Sequence, residues 1–271
     1  MKAATSGAAS GPSYPLDLAQ TAYSYVERPN PAIVGLLSRH VLATNGAANV
    51  LDVGCGCGAN ARALRERSPG VRVFGVEPNA RAVELARGAC HEVFQGTLEE
   101  WARSAAATTS FDALMLSDVL EHIADPIGFV RALAAMPALK NAVWIVSVPN
   151  YAVWYNRVLT LLGRQSYGWS GLWDRTHLRF YTRLSIRRLL EYCGLGIVDS
   201  TCSPSLVQSA APLLRKAFDR DVEQGNHLAL TETGAYRLYR TVVEPIESRV
   251  CALWPELLGF QVVLAARATP V

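Results

Sequence analysis

Several signals are scarce in these 271 residues, and each scarcity excludes a class of function. Charged residues make up 18% of the chain and the net charge is only +3. The sequence shows no Lys/Arg stripe interleaved with aromatics, so no nucleic-acid partner is expected. No run of 18 apolar residues marks a membrane span. The cysteines (Cys55, Cys57, Cys90, Cys193, Cys202 and Cys251) form no CxxC pair and no Cys/His cluster at zinc spacing. They read as reduced thiols in a cytoplasmic chain. Residues 1–15, rich in Ala, Ser, Gly and Pro, lack the apolar stretch of a secretory leader and read as a flexible tail.

What is present is apolar and ordered. Half of the residues are hydrophobic, which supports a packed core. After a helix expected over Pro31 to Leu42, short apolar runs alternate with amphipathic stretches. The runs are Val50–Val53, Val71–Val76, Glu92–Gln95, Phe111–Leu116 and Ala142–Val148. The helices between them are Ala59–Arg67, Ala80–Arg87, Leu98–Ala105 and Pro126–Ala135. This order requires crossover connections, hence a mostly parallel, doubly wound α/β sheet with helices on both faces. Residues 16–271 read as a single domain. Within it, 151–181 form an aromatic-rich loop region and 204–256 a helical insertion before a last strand at Gly259–Ala266. The Leu/Ala/Tyr-rich faces of the insertion suit closure over a substrate or a homodimer contact.

The stretch Val50-Leu-Asp-Val-Gly-Cys-Gly-Cys-Gly58 follows a strand and opens a helix. Its glycines let the backbone turn sharply and present N–H groups, with a helix N-terminus behind them, to a ligand. Read as GxGxxA from Gly54, the loop also approximates a dinucleotide fingerprint, so an NAD-dependent oxidoreductase is a rival reading. Asp52 argues against it: a carboxylate there repels a pyrophosphate and suits a cation such as the ammonium and sulfonium of S-adenosylmethionine. Glu77, 19 residues past Gly58, is placed to accept hydrogen bonds from ribose hydroxyls and serves either cofactor.

The segments LDVGCGCG, VFGVEPN and FDALMLSDVLEHIADP resemble successive motifs of the class I S-adenosylmethionine-dependent methyltransferases, above all the ubiquinone-biosynthesis O-methyltransferase type. The resemblance implies a seven-stranded sheet with a reversed last strand. It places Asp52, Gly54, Cys55, Gly56 and Gly58 around the methionine part of the cofactor and Glu77 with Pro78 at the ribose. Thr97 and Leu98 would flank the adenine, and Asp118 with Val119 would line the methionine and substrate side. Tyr25 and Arg28, in a Tyr/Arg-Pro element ahead of the sheet, would cover the cofactor.

Two further clusters bear on chemistry. Asp118, Glu121 and His122 stand at i, i+3, i+4 and can share one face of a helical turn. Some relatives hold magnesium with a similar pattern, but a capping role is the better reading here and no metal ligand is assigned. His122 is placed near the transferred methyl. The segment Trp173-Asp-Arg-Thr-His-Leu-Arg-Phe-Tyr-Thr182 resembles a DRTHLRFYT segment of bacterial relatives that faces the substrate. His177 is the leading candidate for a base or for orienting a nucleophilic oxygen; the alternative is a structural pair with Asp174. Asn150, Trp173, Asp174 and Tyr181 are assigned to the substrate. Tyr151, Trp154, Tyr155, Tyr167 and Trp169 are read as an apolar wall. The expected reaction is methyl transfer to a small-molecule or sugar acceptor, most readily at oxygen. N- or C-methylation and a non-catalytic cofactor-binding scaffold are the alternatives.

Overall fold

The computed structural model describes residues 28–43, 46–104, 109–168, 171–204 and 239–269. The tail at 1–15, Tyr25, Trp169 and residues 205–238 of the expected insertion lie outside them. Seven strands are described: β1 Asn49–Val53, β2 Arg72–Glu77, β3 Glu92–Gln95, β4 Ala113–Ser117, β5 Val143–Pro149, β6 Leu195–Pro204 and β7 Gly259–Ala268. They form one sheet in the order β3-β2-β1-β4-β5-β7-β6. The first five are parallel, and β7 runs antiparallel to both β5 and β6. The reversed last strand is therefore as expected.

Strand period explains the two cores. Leu51, Leu114, Val146 and Leu264 point to one face. Val50, Met115, Ile145 and Val263 point to the other, against Ile33, Leu36 and Leu37 of α1 (Pro31–Leu37) and Leu64 of α2 (Ala59–Arg67). A sheet buried on both sides reads as unbroken apolar runs, which is why β1, β4 and β5 are legible in the sequence.

Helix starts follow local chemistry. The Asn30 side chain accepts from the Ala32 N–H and Pro31 fills the first turn. Asn79 caps α3 (Ala80–Ala86), and Thr97 with Glu100 forms a capping box on α4 (Leu98–Arg103). Asp125-Pro126 opens α5 (Pro126–Ala134). After α6 (Trp154–Leu161), Thr182 caps α7 (Arg183–Tyr192), which ends at Gly194 with φ +83°. The described residues 239–258 are mainly helical. A π turn at Tyr239–Val243 leads into α8 (Glu244–Leu253) and α9 (Pro255–Leu258), and α8 packs on β6.

Chain order reverses between β1 and β4. β2 and β3 extend the sheet one way, β4 and β5 the other. Loops leaving the carboxyl ends of β1 and β4 diverge there and leave a crevice, the usual ligand position in such sheets. The glycine loop and Asp118 are those two loops.

Candidate active site

Gly54 turns out of β1 with φ +73° and Gly58 enters α2 with φ +76°. A side chain at either would be strained and crowded. A Cβ on Gly54 would meet Val119 Cγ2 at 2.8 Å, and one on Gly58 would meet Ala89 Cβ at 2.9 Å. Val119 thus roofs the loop from the β4 side. Gly54→Ala should lower fold stability by about 1–3 kcal/mol, seen as a lower midpoint in a thermal melt. An unchanged midpoint would contradict the tight approach.

Glu77 closes the loop from the β2 side. Its Oε2 accepts the Gly56 N–H at 2.9 Å and its Oε1 accepts the Asn79 N–H at 2.9 Å. Asp52 lies beneath the bend, 1% exposed, and its Oδ1 has no hydrogen-bond partner among the described residues. Burial, and then the negative charge of Glu77, push its carboxyl up to about 7. Two buried acids thus stand beside bare backbone, an arrangement whose negative charge suits a cation.

The remaining predicted contacts divide. Cys55 turns its thiol under the sheet against Gly75 and Cys90, so only its main chain faces the loop. Thr97 caps α4 through Glu100 and Leu98 enters the core; Pro78 links β2 to α3. Asp118 has φ +54°, rare for a residue with a side chain. Its Oδ1 accepts from Ser147 Oγ at 3.0 Å and its Oδ2 accepts from the Gln261 side-chain amide. Burial pushes Asp118 up to about 6, while the bonds from Ser147 and Gln261 hold it down.

The grouping of Asp118 with Glu121 and His122 is corrected by this geometry. Positive φ and its two donors turn the Asp118 carboxylate toward β5 and β7. His177 joins the other two instead. One donor atom each from Glu121, His122 and His177 lie within 4.8 Å of one another, a set able to hold a divalent ion. The backbone brings them together: the Glu121 carbonyl accepts from Leu178 N at 2.8 Å and Arg179 N at 3.0 Å.

The two imidazoles stand edge to face, with ring centroids 4.9 Å apart. His177 Nδ1 lies 3.0 Å from the Leu172 carbonyl and His122 Nδ1 lies 3.2 Å from that of Thr176. A carbonyl only accepts, so each Nδ1 carries the proton and each Nε2 the lone pair. Burial, then the neighbouring His177, lowers His122 to about 4, and burial also lowers His177. Both rings are neutral bases at pH 7. Glu121 is 1% exposed and neither of its carboxyl oxygens has a hydrogen-bond partner among the described residues. Burial, then Asp118, pushes its carboxyl well above the usual range.

Asp174 does not pair with the His177 ring. Its Oδ1 accepts from Thr176 N and Thr176 Oγ1 at 2.8 and 2.7 Å, shaping the turn that carries His177. Trp173 packs on Tyr151, Tyr167 and Phe180 and donates its Nε1–H to Asn156 Oδ1 at 2.8 Å. Asn150 is fully buried, and its amide donates to the carbonyls of Glu256 and Gly259 at 3.0 and 2.9 Å. An acceptor bond to that amide would require breaking one of these. The Tyr181 hydroxyl is likewise turned inward, onto the Leu120 carbonyl at 3.3 Å. Ser147 and Gln261, which bond Asp118, and Thr176, which bonds Asp174, were missed by sequence reasoning, because no local pattern marks residues that meet only across the sheet or within a turn.

A model of the methyltransferase domain family matches residues 25–200. The ubiquinone biosynthesis O-methyltransferase of Methylocella silvestris is 29% identical over 164 residues, covering 56% of this chain and 59% of that protein. That of Idiomarina loihiensis is 27% identical over 173 residues, covering 61% and 68%. The chain therefore spans about three fifths of the first relative. A SAM dependent methyltransferase from Archaeoglobus fulgidus has the same fold, with a TM-score of 0.50 at 19% identity over 86% of this chain and 92% of that one. No helix among the described residues is long and apolar enough to cross a membrane. The family match takes in the glycine loop, Asp52, Glu77, Asp118 and both histidines and covers well over half of the chain, which belongs to the methyltransferase domain family.

Proposed function

We propose that this chain transfers the methyl group of S-adenosylmethionine to an oxygen of a small-molecule or sugar acceptor. The observation that carries the proposal is the cradle: a glycine bend set between buried Asp52 and Glu77, with Asp118 across the crevice. A cationic ligand with a ribose fits this set; a pyrophosphate meets an uncompensated carboxylate. Bound there, the cofactor supplies a methyl already activated by positive sulfur. The protein then supplies alignment, which is worth effective molarities on the order of 10⁵–10⁸ M. His177 Nε2 takes the acceptor's proton and His122 orients the same oxygen, both as neutral imidazoles. Trp173 and Tyr151 form the wall against which the acceptor lies. Glu77 holds the ribose, so Glu77→Ala should weaken S-adenosylhomocysteine binding about tenfold or more in calorimetry. An unchanged affinity would contradict the ribose assignment.

Activity is tested with methyl-labelled S-adenosylmethionine against catechols, hydroxyquinones and nucleotide sugars. Label recovered on an oxygen supports the proposal. Label on nitrogen or carbon overturns the O-methyl assignment, and a chain that binds cofactor but labels no acceptor favours the scaffold reading.

A further inference from the structure

Gln261 opens the last strand at the crevice edge, paired in register with Pro149 of β5 on one side and Ser203 of β6 on the other. It lies 143 residues from Asp118, and its side chain joins three distant segments. Its amide donates to Asp118 Oδ2. Its carbonyl accepts from Asn30 Nδ2 at 2.9 Å and from Ser203 Oγ at 2.9 Å. Asn30 in turn donates its backbone N–H to Asn60 Oδ1 at 2.8 Å, in the helix that the glycine loop opens. A continuous set of hydrogen bonds thus runs from α2, through the residue that caps α1 and through β7, to Asp118.

The set has a direction. The Gln261 carbonyl is held by two donors, so its amide can only face Asp118 as a donor. An amide donor on Oδ2 and the Ser147 hydroxyl on Oδ1 together favour the ionised carboxylate and fix its plane. Asp118 holds a positive φ that needs such support from outside its own turn. We propose that Gln261 is a positioning residue that keeps Asp118 ionised and fixed at the crevice edge, where its charge favours the cationic end of the cofactor, and that Asn30 couples this carboxylate to the helix behind the glycine loop. The inference rests on the cofactor reading given above.

Asp118 is pushed up by burial and held down by Ser147 and Gln261, which face it as neutral donors; its charge in turn raises Glu121 on the turn that follows. Removal of one donor raises the pH at which Asp118 takes up a proton. Asp52, which titrates near 7, gives its own loss of affinity toward acid pH that neither donor touches; the Asp118 component lies below it, so the acid part of the falling limb should move to higher pH when a donor is removed.

The test is calorimetric titration of S-adenosylhomocysteine from pH 5 to 8, in the intact chain and in Gln261→Met, whose side chain has similar length and no donor. Asn30→Ser keeps an oxygen cap on α1 but removes the amide that reaches Gln261. Gln261→Met should bind about tenfold more weakly near pH 6, with its limb displaced upward and affinity approaching the parent's at pH 8. Asn30→Ser should show a smaller displacement of the same sign. A uniform loss at every pH, or an unmoved limb, overturns the proposal. Ser147→Ala removes the companion donor and gives the same readout if Gln261→Met does not fold. An intact chain that binds no S-adenosylhomocysteine at any pH refutes the cofactor reading instead, which keeps the two failures apart.

Discussion

Asp52→Asn should make the ligand-free chain more stable and the ligand-binding chain poorer. In the folded protein Asp52 titrates near 7, far above an unfolded carboxylate. Between those two values the folded state holds a proton that the unfolded state has lost. Stability contributed at this position is therefore present at low pH and declines as pH rises through about 7. Asparagine has the same shape without the charge, so the variant should gain about 1–3 kcal/mol at pH 8, read as a higher melting midpoint, and should melt with a flatter pH dependence. On the proposed cofactor reading, the same substitution removes the carboxylate that faces the cofactor's ammonium. S-adenosylhomocysteine, which keeps that group, should bind about 10–100-fold more weakly. Binding to the parent chain near pH 7 should release protons, because an incoming cation drives the Asp52 carboxyl to ionise. Calorimetry in two buffers of different ionisation enthalpy measures that release, and Asp52→Asn should diminish it. A parent-like affinity together with a parent-like melting midpoint would contradict both halves of the prediction.

His177→Ala should do the reverse, sparing cofactor binding and removing turnover. A positioned base contributes typically 10²–10⁴-fold, and the rate on any identified acceptor should fall by that order. Affinity for S-adenosylhomocysteine should stay within about threefold, since the ring is anchored on the Leu172 carbonyl and not on the glycine loop. The pH profile at saturating cofactor carries its own signature. Burial lowers His177 below the ordinary histidine range. Its basic form therefore persists to more acid pH than a solvent-exposed histidine would allow, and the acid limb of turnover should lie below about 6.5. A limb at or above that value, or a variant with parent-like turnover, would remove His177 from the chemistry.

The contrast between these two residues shows what sequence can and cannot tell. The placement of Asp52 and Glu77 beside the glycine loop was legible because each stands at a fixed offset from a strand end and a glycine run, and strand geometry converts offset into position. The sheet was legible for the same reason: apolar runs buried on both faces, separated by capped helices, leave few topologies. The start of Arg183–Tyr192 falls where Thr182 caps it, and that of Ala59–Arg67 where Gly58 turns with positive φ. His177 was legible as a candidate, but its partner was not. The spacing suggested Asp174, whereas the ring is held by the Leu172 carbonyl, a backbone group that leaves no trace in residue type. Asp118 was read at helical spacing with Glu121 and His122. Its positive φ breaks that spacing, and non-glycine residues give no warning of such a conformation. Gln261 was invisible altogether, because its contacts depend on the register of an antiparallel strand that arrives more than a hundred residues later.

Parallel calorimetric titrations of the intact chain with S-adenosylhomocysteine and with NAD test the central claim most directly, because the paired acids beneath the bend distinguish a cation from a pyrophosphate. The account predicts saturable one-to-one binding of the first, with proton release near neutral pH, and no detectable binding of the second. Saturable binding of NAD with none of S-adenosylhomocysteine would contradict it.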